Sequence, residues 1–244
     1  MSPDSILFLV LLLIIAVLYS SVGHGGASGY LALMGVFHFA PDVMRPAALV
    51  LNLFVSFIAW WQYSRQVTLQ KKLFFWLILG SVPAAFAGSL LSLDVSLYKQ
   101  MLGILLLIPA FRMFGFFKPE NQVVHEPRLF PAVTFGIIIG LLSGVIGIGG
   151  GIILSPLLMM LGWSDIRQTA LMSALFIFVN SLTGIIGLTV KGVEFHPDLP
   201  LWCIIAVLGG LVGSLIGSRK ASSATLTQIL GVVLVIAGLK LLIL

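Results

Sequence analysis

Apolar residues fall along the chain in ten runs, at about 5–22, 28–40, 45–62, 73–92, 97–115, 130–146, 151–162, 167–189, 199–217 and 225–244. Most approach the ~20 residues that a helix needs to cross a bilayer. None keeps the period-2 alternation of a barrel strand, so the runs predict helices. Two runs, 28–40 and 151–162, are short. At 1.5 Å per residue each reaches about 20 Å, against a hydrocarbon core of about 30 Å. They are predicted half-helices.

Each short run begins after a glycine-rich break. The first break is Gly23-His24-Gly25-Gly26-Ala27, and the second is Gly147-Ile148-Gly149-Gly150-Gly151. The segments beyond the two breaks also match. Asp42, Arg45, Ala48-Leu49 and Leu53-Phe54 answer Asp165, Arg167, Ala170-Leu171 and Leu175-Phe176. Gly80 and Gly88-Ser89 answer Gly209 and Gly217-Ser218, and Gln100-Met101-Leu102-Gly103 answers Gln228-Ile229-Leu230-Gly231. The offset drifts from 122 to 129 residues and the order never changes, which is the mark of an internal repeat. The expected organisation is a first repeat over 1–115, a linker over 116–129 and a second repeat over 130–244. Five elements per repeat, an odd number, invert the second half relative to the first.

Charge orients this arrangement. Arg65, Lys71 and Lys72 make one loop basic, as do Arg112, Lys118 and Arg128 in the linker and Arg219 and Lys220 in a later loop. If the elements alternate, all three fall on one side, which the positive-inside rule makes cytoplasmic. Lys191, Glu194, His196 and Asp198 fall on the other side with Asp94, and both termini are expected there too. Composition agrees. Of the 244 residues 59% are hydrophobic and only 9% charged, against about 25% charged in a soluble domain. The net charge of +5 is gathered in short loops, so it gives no reason to invoke nucleic acid. One cysteine, Cys203, excludes an intrachain disulfide framework and a multi-thiolate metal site. No cofactor is called for. The run Leu7–Leu18 has no preceding basic residue and no evident cleavage site, so it is expected to be a retained helix. The sequence leaves the oligomeric state open.

Broken helices at corresponding positions of two inverted repeats point to a transport site. A glycine break leaves backbone N–H groups at the start of the next helix, and these need partners inside a bilayer. The helix dipole adds about half a positive charge at the same end. An anion meets both demands. The alternative is that these glycines merely allow close helix packing. On the site reading, Gly23, His24, Gly25, Gly26, Ala27 and Ser28 face Gly147, Gly149, Gly150, Gly151 and Ile152 across a small anion. Asn52 and Asn180 add side-chain donors. Bulky replacement of Gly26 or Gly150 should then abolish binding without unfolding. His24 reads equally as a neutral imidazole bonded to backbone, or as an anion ligand or proton carrier. No Asp, Glu, Lys or Arg lies centrally in any run, so a carboxylate relay is not expected. Arg45 and Arg167 read as interfacial anchors, or else as attractors of anions at the two mouths. Trp60, Trp61, Trp76, Trp163 and Trp202 read as interface-belt residues.

The stretches Ser21–Tyr30 and Ser143–Gly151 resemble the two glycine-rich signatures of the TauE/SafE family of sulfite and sulfonate exporters, also called the toluenesulfonate uptake permease family. Length, duplicated halves and the central connection fit across nearly the whole chain. The resemblance implies an all-α protein of the bacterial inner membrane that moves sulfite, sulfonates or related organic anions, often outward. His24 stands where many relatives carry another residue. Two other readings compete. A passive anion channel shares every feature above. Gly26-Ala27-Ser28-Gly29 also resembles the nucleophile motif of rhomboid intramembrane proteases, but that chemistry needs a histidine on a later membrane helix, and His38, His125 and His196 all fall at predicted ends or loops.

Overall fold

The computed structural model describes residues 3–21, 25–114, 126–219 and 224–243. All regular structure among them is helical. The elements are α1 (Pro3–Ser21), α2 (Ala27–Val36), α3 (Pro41–Tyr63), α4 (Lys71–Leu90), α5 (Val95–Met113), α6 (Leu129–Ile146), α7 (Gly151–Met160), α8 (Ile166–Val190), α9 (Leu199–Arg219) and α10 (Ala224–Ile243). They are the ten expected helices. α2 and α7 have 10 residues each, or about 15 Å, too short to cross a bilayer. Five helices among the described residues, α3, α4, α6, α8 and α9, are long and apolar enough to cross a membrane.

The helix pairings come in matched sets. α4 lies along α6, and α1 lies along α9. α3 packs on α9, and α8 packs on α4. The remaining large interfaces, α3 with α8 and α5 with α10, join like to like. Exchanging α1–α5 for α6–α10 therefore maps each of these interfaces onto another or onto itself.

Close approach explains where the glycines sit. On α6, Gly136, Gly140 and Gly144 lie against the backbone carbonyls of Leu77, Ser81 and Ala85 on α4, with no room for a β-carbon. On α9, Gly209 and Gly213 take the same place against Leu13 and Val17 of α1. Ser20 of α1 adds a hydroxyl bond of 2.9 Å to the Gly210 carbonyl. Small residues at such crossings let backbones pack closely where lipid offers no hydrophobic drive to associate. Outward faces carry exposed Phe75, Leu79, Ile137, Ile204 and Leu208, a surface suited to acyl chains.

The two ends of the bundle differ in charge. One end gathers Arg65, Lys71 and Lys72 near the start of α8, where Gln70 donates to Gln168 at 2.7 Å. The other gathers Asp42, Ser92, Lys191 and the end of α10, where Lys240 donates to the Val36 carbonyl at 3.0 Å. Trp61 and Trp76 lie beneath the Arg65 and Lys72 cations, each 5.0 Å from the ring, as belt residues should. Trp163 and Trp202 do not fit that expectation. Both are buried, Trp163 beside Phe135, and Trp202 against Phe8, Phe39 and the stacked ring of His196. They close the ends of the core instead of facing the lipid boundary.

Candidate functional site

The two glycine breaks meet. Gly25, Gly26, Ala27 and Ser28 from the first, and Ile148 and Ile152 from the second, line one cavity together with Tyr19, Asn52 and Ile177. Its volume is about 10 Å³, room for no more than about one water. The described conformation leaves too little room there for a sulfite-sized anion.

Each break is built on left-handed backbone. Gly26 has φ +93° and Gly150 φ +79°, and each starts a short helix. Gly147 and Gly149 are left-handed as well, at φ +89° and +71°. L side chains rarely adopt this region, and glycine does so freely. Space is also short. A β-carbon on Gly26 would lie 2.7 Å from the Tyr30 ring, and one on Gly150 would lie 2.7 Å from Ile139 and 2.9 Å from Phe176. Bulky residues at Gly26 or Gly150 would thus strain the backbone and crowd the core. The expectation that they remove binding while leaving the fold intact does not suit this geometry.

Asn52 joins the breaks. It is fully buried on α3. Its Oδ1 accepts from the Ala27 amide at 2.9 Å, and its Nδ2 donates to the Ile148 carbonyl at 3.4 Å. The start of α2 has no cap of its own, so Asn52 supplies the acceptor that an anion could otherwise provide. Opposite it stands Ile177 of α8. Both side chains press on both breaks, Asn52 and Ile177 bracketing Gly25 and again Gly149 within 3.0 Å of where a β-carbon would be. Among the described residues no side chain accepts from the first amides of α7 at Gly151 and Ile152. Of α3 and α8, the first lines the cavity with a carboxamide, Asn52, and the second with an apolar side chain, Ile177.

Asn180 lies apart from this cavity. Its Nδ2 donates to the Phe176 carbonyl one turn back at 2.9 Å, and its Oδ1 is buried without a partner. Its neighbour Ser181 likewise has an unpartnered buried hydroxyl, and it lies 3.1 Å from the β-position of Gly149. Gly23 and His24 lie outside the described residues. Ile177 carries no chemical signal in the sequence. Tyr19 did carry one, as an aromatic hydroxyl inside an apolar run shortly before the first break.

Arg45 departs most from expectation. It lies in the first turns of α3, only 8% exposed, and is no interfacial anchor. Its Nε donates to Gly144 at 3.0 Å, its Nη1 to Leu91 at 3.0 Å, and its Nη2 to Gly88, Ser89 and Gly144 at 2.9, 2.7 and 2.5 Å. All the acceptors are main-chain carbonyls at the C-terminal ends of α4 and α6. Those ends carry partial negative charge and unpaired carbonyls, so one guanidinium caps two helices. Its counterpart Arg167 is exposed, as an anchor should be. Ser28, the nucleophile of the protease reading, has no histidine beside it among the described residues, since His38 and His196 sit at the bundle end near Lys240 and Trp202.

Comparison with known proteins points to one family. The profile of the sulfite exporter TauE/SafE family matches residues 7–241. A "probable membrane transporter protein" of Sinorhizobium fredii is 36% identical over 99% of this chain and the whole of its own length. A protein of the same description from Bacillus subtilis is 22% identical over 82% of this chain and 81% of its own. One from Methanocaldococcus jannaschii is 28% identical over 53% of this chain and 51% of its own. No solved structure matches. With a helical bundle of apolar spans and a match over nearly its full length, the chain belongs to the TauE/SafE sulfite exporter family and is a multi-pass membrane transporter.

Proposed function

We propose that this transporter carries small oxyanions of the sulfite and sulfonate class outward by alternating access, with the anion held between the two glycine breaks. The observation that carries the reading is the shared cavity, in which the start of α2 and the wall of the second break meet at Asn52. An anion in this place would be met by helix-start amides and neutral donors, each worth up to ~2 kcal/mol in partly buried geometry. Such modest contacts hold a substrate and still release it. We read the matched helix pairings as an inverted repeat over 1–115 and 130–244, with the basic ends of α3 and α4 in the cytoplasm. Two repeats rocking against each other around a fixed central site is the usual consequence of that symmetry.

Proton coupling, in this reading, runs through His24 or through the anion itself, because no carboxylate lies centrally in any apolar run. The test is sulfite flux in proteoliposomes across a pH series, for the wild type and for His24→Gln. Saturable flux is expected. A changed pH profile in His24→Gln assigns the proton to the imidazole, and an unchanged one assigns it to the substrate. Flux that rises linearly with sulfite without saturating would favour a channel. The absence of flux with sulfite, methanesulfonate and sulfoacetate alike would remove the anion reading.

A further inference from the structure

A second cavity, of about 150 Å³, opens at the bundle end opposite the basic loops. Its polar lining comes from Asp42, Arg45, Ser92, Tyr98 and Lys191. Nothing in the central site accounts for it. We propose that this vestibule is a second anion station, at which Lys191 and Arg45 receive a sulfonate- or sulfite-class oxyanion before it enters, or after it leaves, the central cavity. The proposal rests on the anion-carrier reading above.

Three observations carry it. The first is unused hydrogen-bonding capacity on a fixed charge. A guanidinium has five N–H donors. In Arg45 the Nε donor goes to Gly144, the Nη2 donors go to Gly88, Ser89 and Gly144, and one Nη1 donor goes to Leu91. The second Nη1 donor has no partner among the described residues, and Arg45 lines the vestibule. The helix ends it caps hold the guanidinium in place, so no side-chain freedom is lost when an anion arrives.

The second observation is the charge balance. Lys191 and Arg45 are faced by one carboxylate, Asp42, whose Oδ1 already accepts from the Val43 amide at 3.0 Å. Lys191 is steered toward the cavity by its 2.6 Å bond to Ser92. Partial burial, and then the Arg45 guanidinium, weaken its hold on its proton, as expected for like charges facing one space. An anion between them would relieve that repulsion.

The third is position. Arg45, Leu49 and Asn52 form one stripe on α3, at i, i+4 and i+7. Two turns, about 10.5 Å, separate Arg45 from Asn52 along the helix. Leu49 lies between them, fully buried and against Gly184 of α8. The β-position of Gly147, the first glycine of the second break, is 3.0 Å from Arg45. The vestibule is thus one step from the central cavity, with a leucine between the two.

The test uses sulfite flux in right-side-out and inverted membrane vesicles, which present opposite mouths. Lys191 is exposed at the end of α8, so Lys191→Gln should fold normally. At low ionic strength its KM for sulfite should rise about three- to tenfold from the vestibule side, with kcat within twofold. From the other side KM should be unchanged. Lys191→Arg should restore the wild-type value. About 0.5 M inert salt should shrink the difference, because screening shortens the reach of an exposed charge. An unchanged KM from both sides, or an equal rise from both, would overturn the station while leaving the central site standing. No sulfite flux in the wild type would overturn the carrier reading and this proposal with it.

Discussion

Replacing Arg45 by methionine should cost the protein about 3–5 kcal/mol of stability, because each buried carbonyl left unsatisfied costs about 1–3 kcal/mol. The methionine fills similar space but leaves the carbonyls of Ser89, Leu91 and Gly144 without their donor. Each sits at a helix C-terminus, where no further turn can satisfy it. Arg45→Lys should recover less than half of the loss. One ammonium group cannot reach carbonyls spread over two helix ends as a planar fork does. Arg167→Met, at the matched but exposed position, should change stability by no more than about 0.5 kcal/mol. Thermal unfolding in detergent micelles reads all three. If Arg45→Met unfolds with the wild type, the guanidinium is not the clamp described here.

The second large effect concerns function and stability together. Asn52→Asp keeps an oxygen where Oδ1 accepts from the Ala27 amide, so the start of α2 stays capped. Carboxylates cap helix starts at least as well as amides do. The variant does, however, remove the donor that faces Ile148 and places negative charge against the incoming anion. A carboxylate at that depth costs about 2.5–3.5 kcal/mol, so the unfolding temperature should fall together with a steep fall in flux. Asn52→Leu, which loses the cap as well, should lower both. Wild-type flux in Asn52→Asp would show that the anion passes elsewhere.

These two residues mark the limits of what the chain's pattern discloses. The glycine clusters, the undersized helices and all ten elements were legible because they depend on local chemistry: apolar length, helix-breaking glycine, and spacing. Asn52 was legible because a carboxamide inside an apolar helix needs a partner. The anchor reading of Arg45 failed because its partners are main-chain carbonyls from α4 and α6, which leave no trace in side-chain identity. One residue ahead of a long apolar run, a buried clamp and an interfacial anchor look the same. Asn180 looked equivalent to Asn52, yet it bonds its own helix, and Ile177 faces the breaks instead. That substitution of an apolar for a polar wall arises from tertiary register between α3 and α8. Trp163 and Trp202 failed for a related reason: an end-of-helix tryptophan can turn inward as readily as toward lipid.

On the proposed function, the anion lies between the two breaks, against backbone. The most direct measurement is a structure determined in selenite, which copies the shape and charge of sulfite and can be located by anomalous scattering. A selenium peak is expected beside the amides of Ala27 and Ser28 and of Gly151 and Ile152, with Asn52 turned from the Ala27 amide toward the anion. A peak confined to the Arg45 and Lys191 vestibule, with the breaks still closed around Asn52, would contradict it.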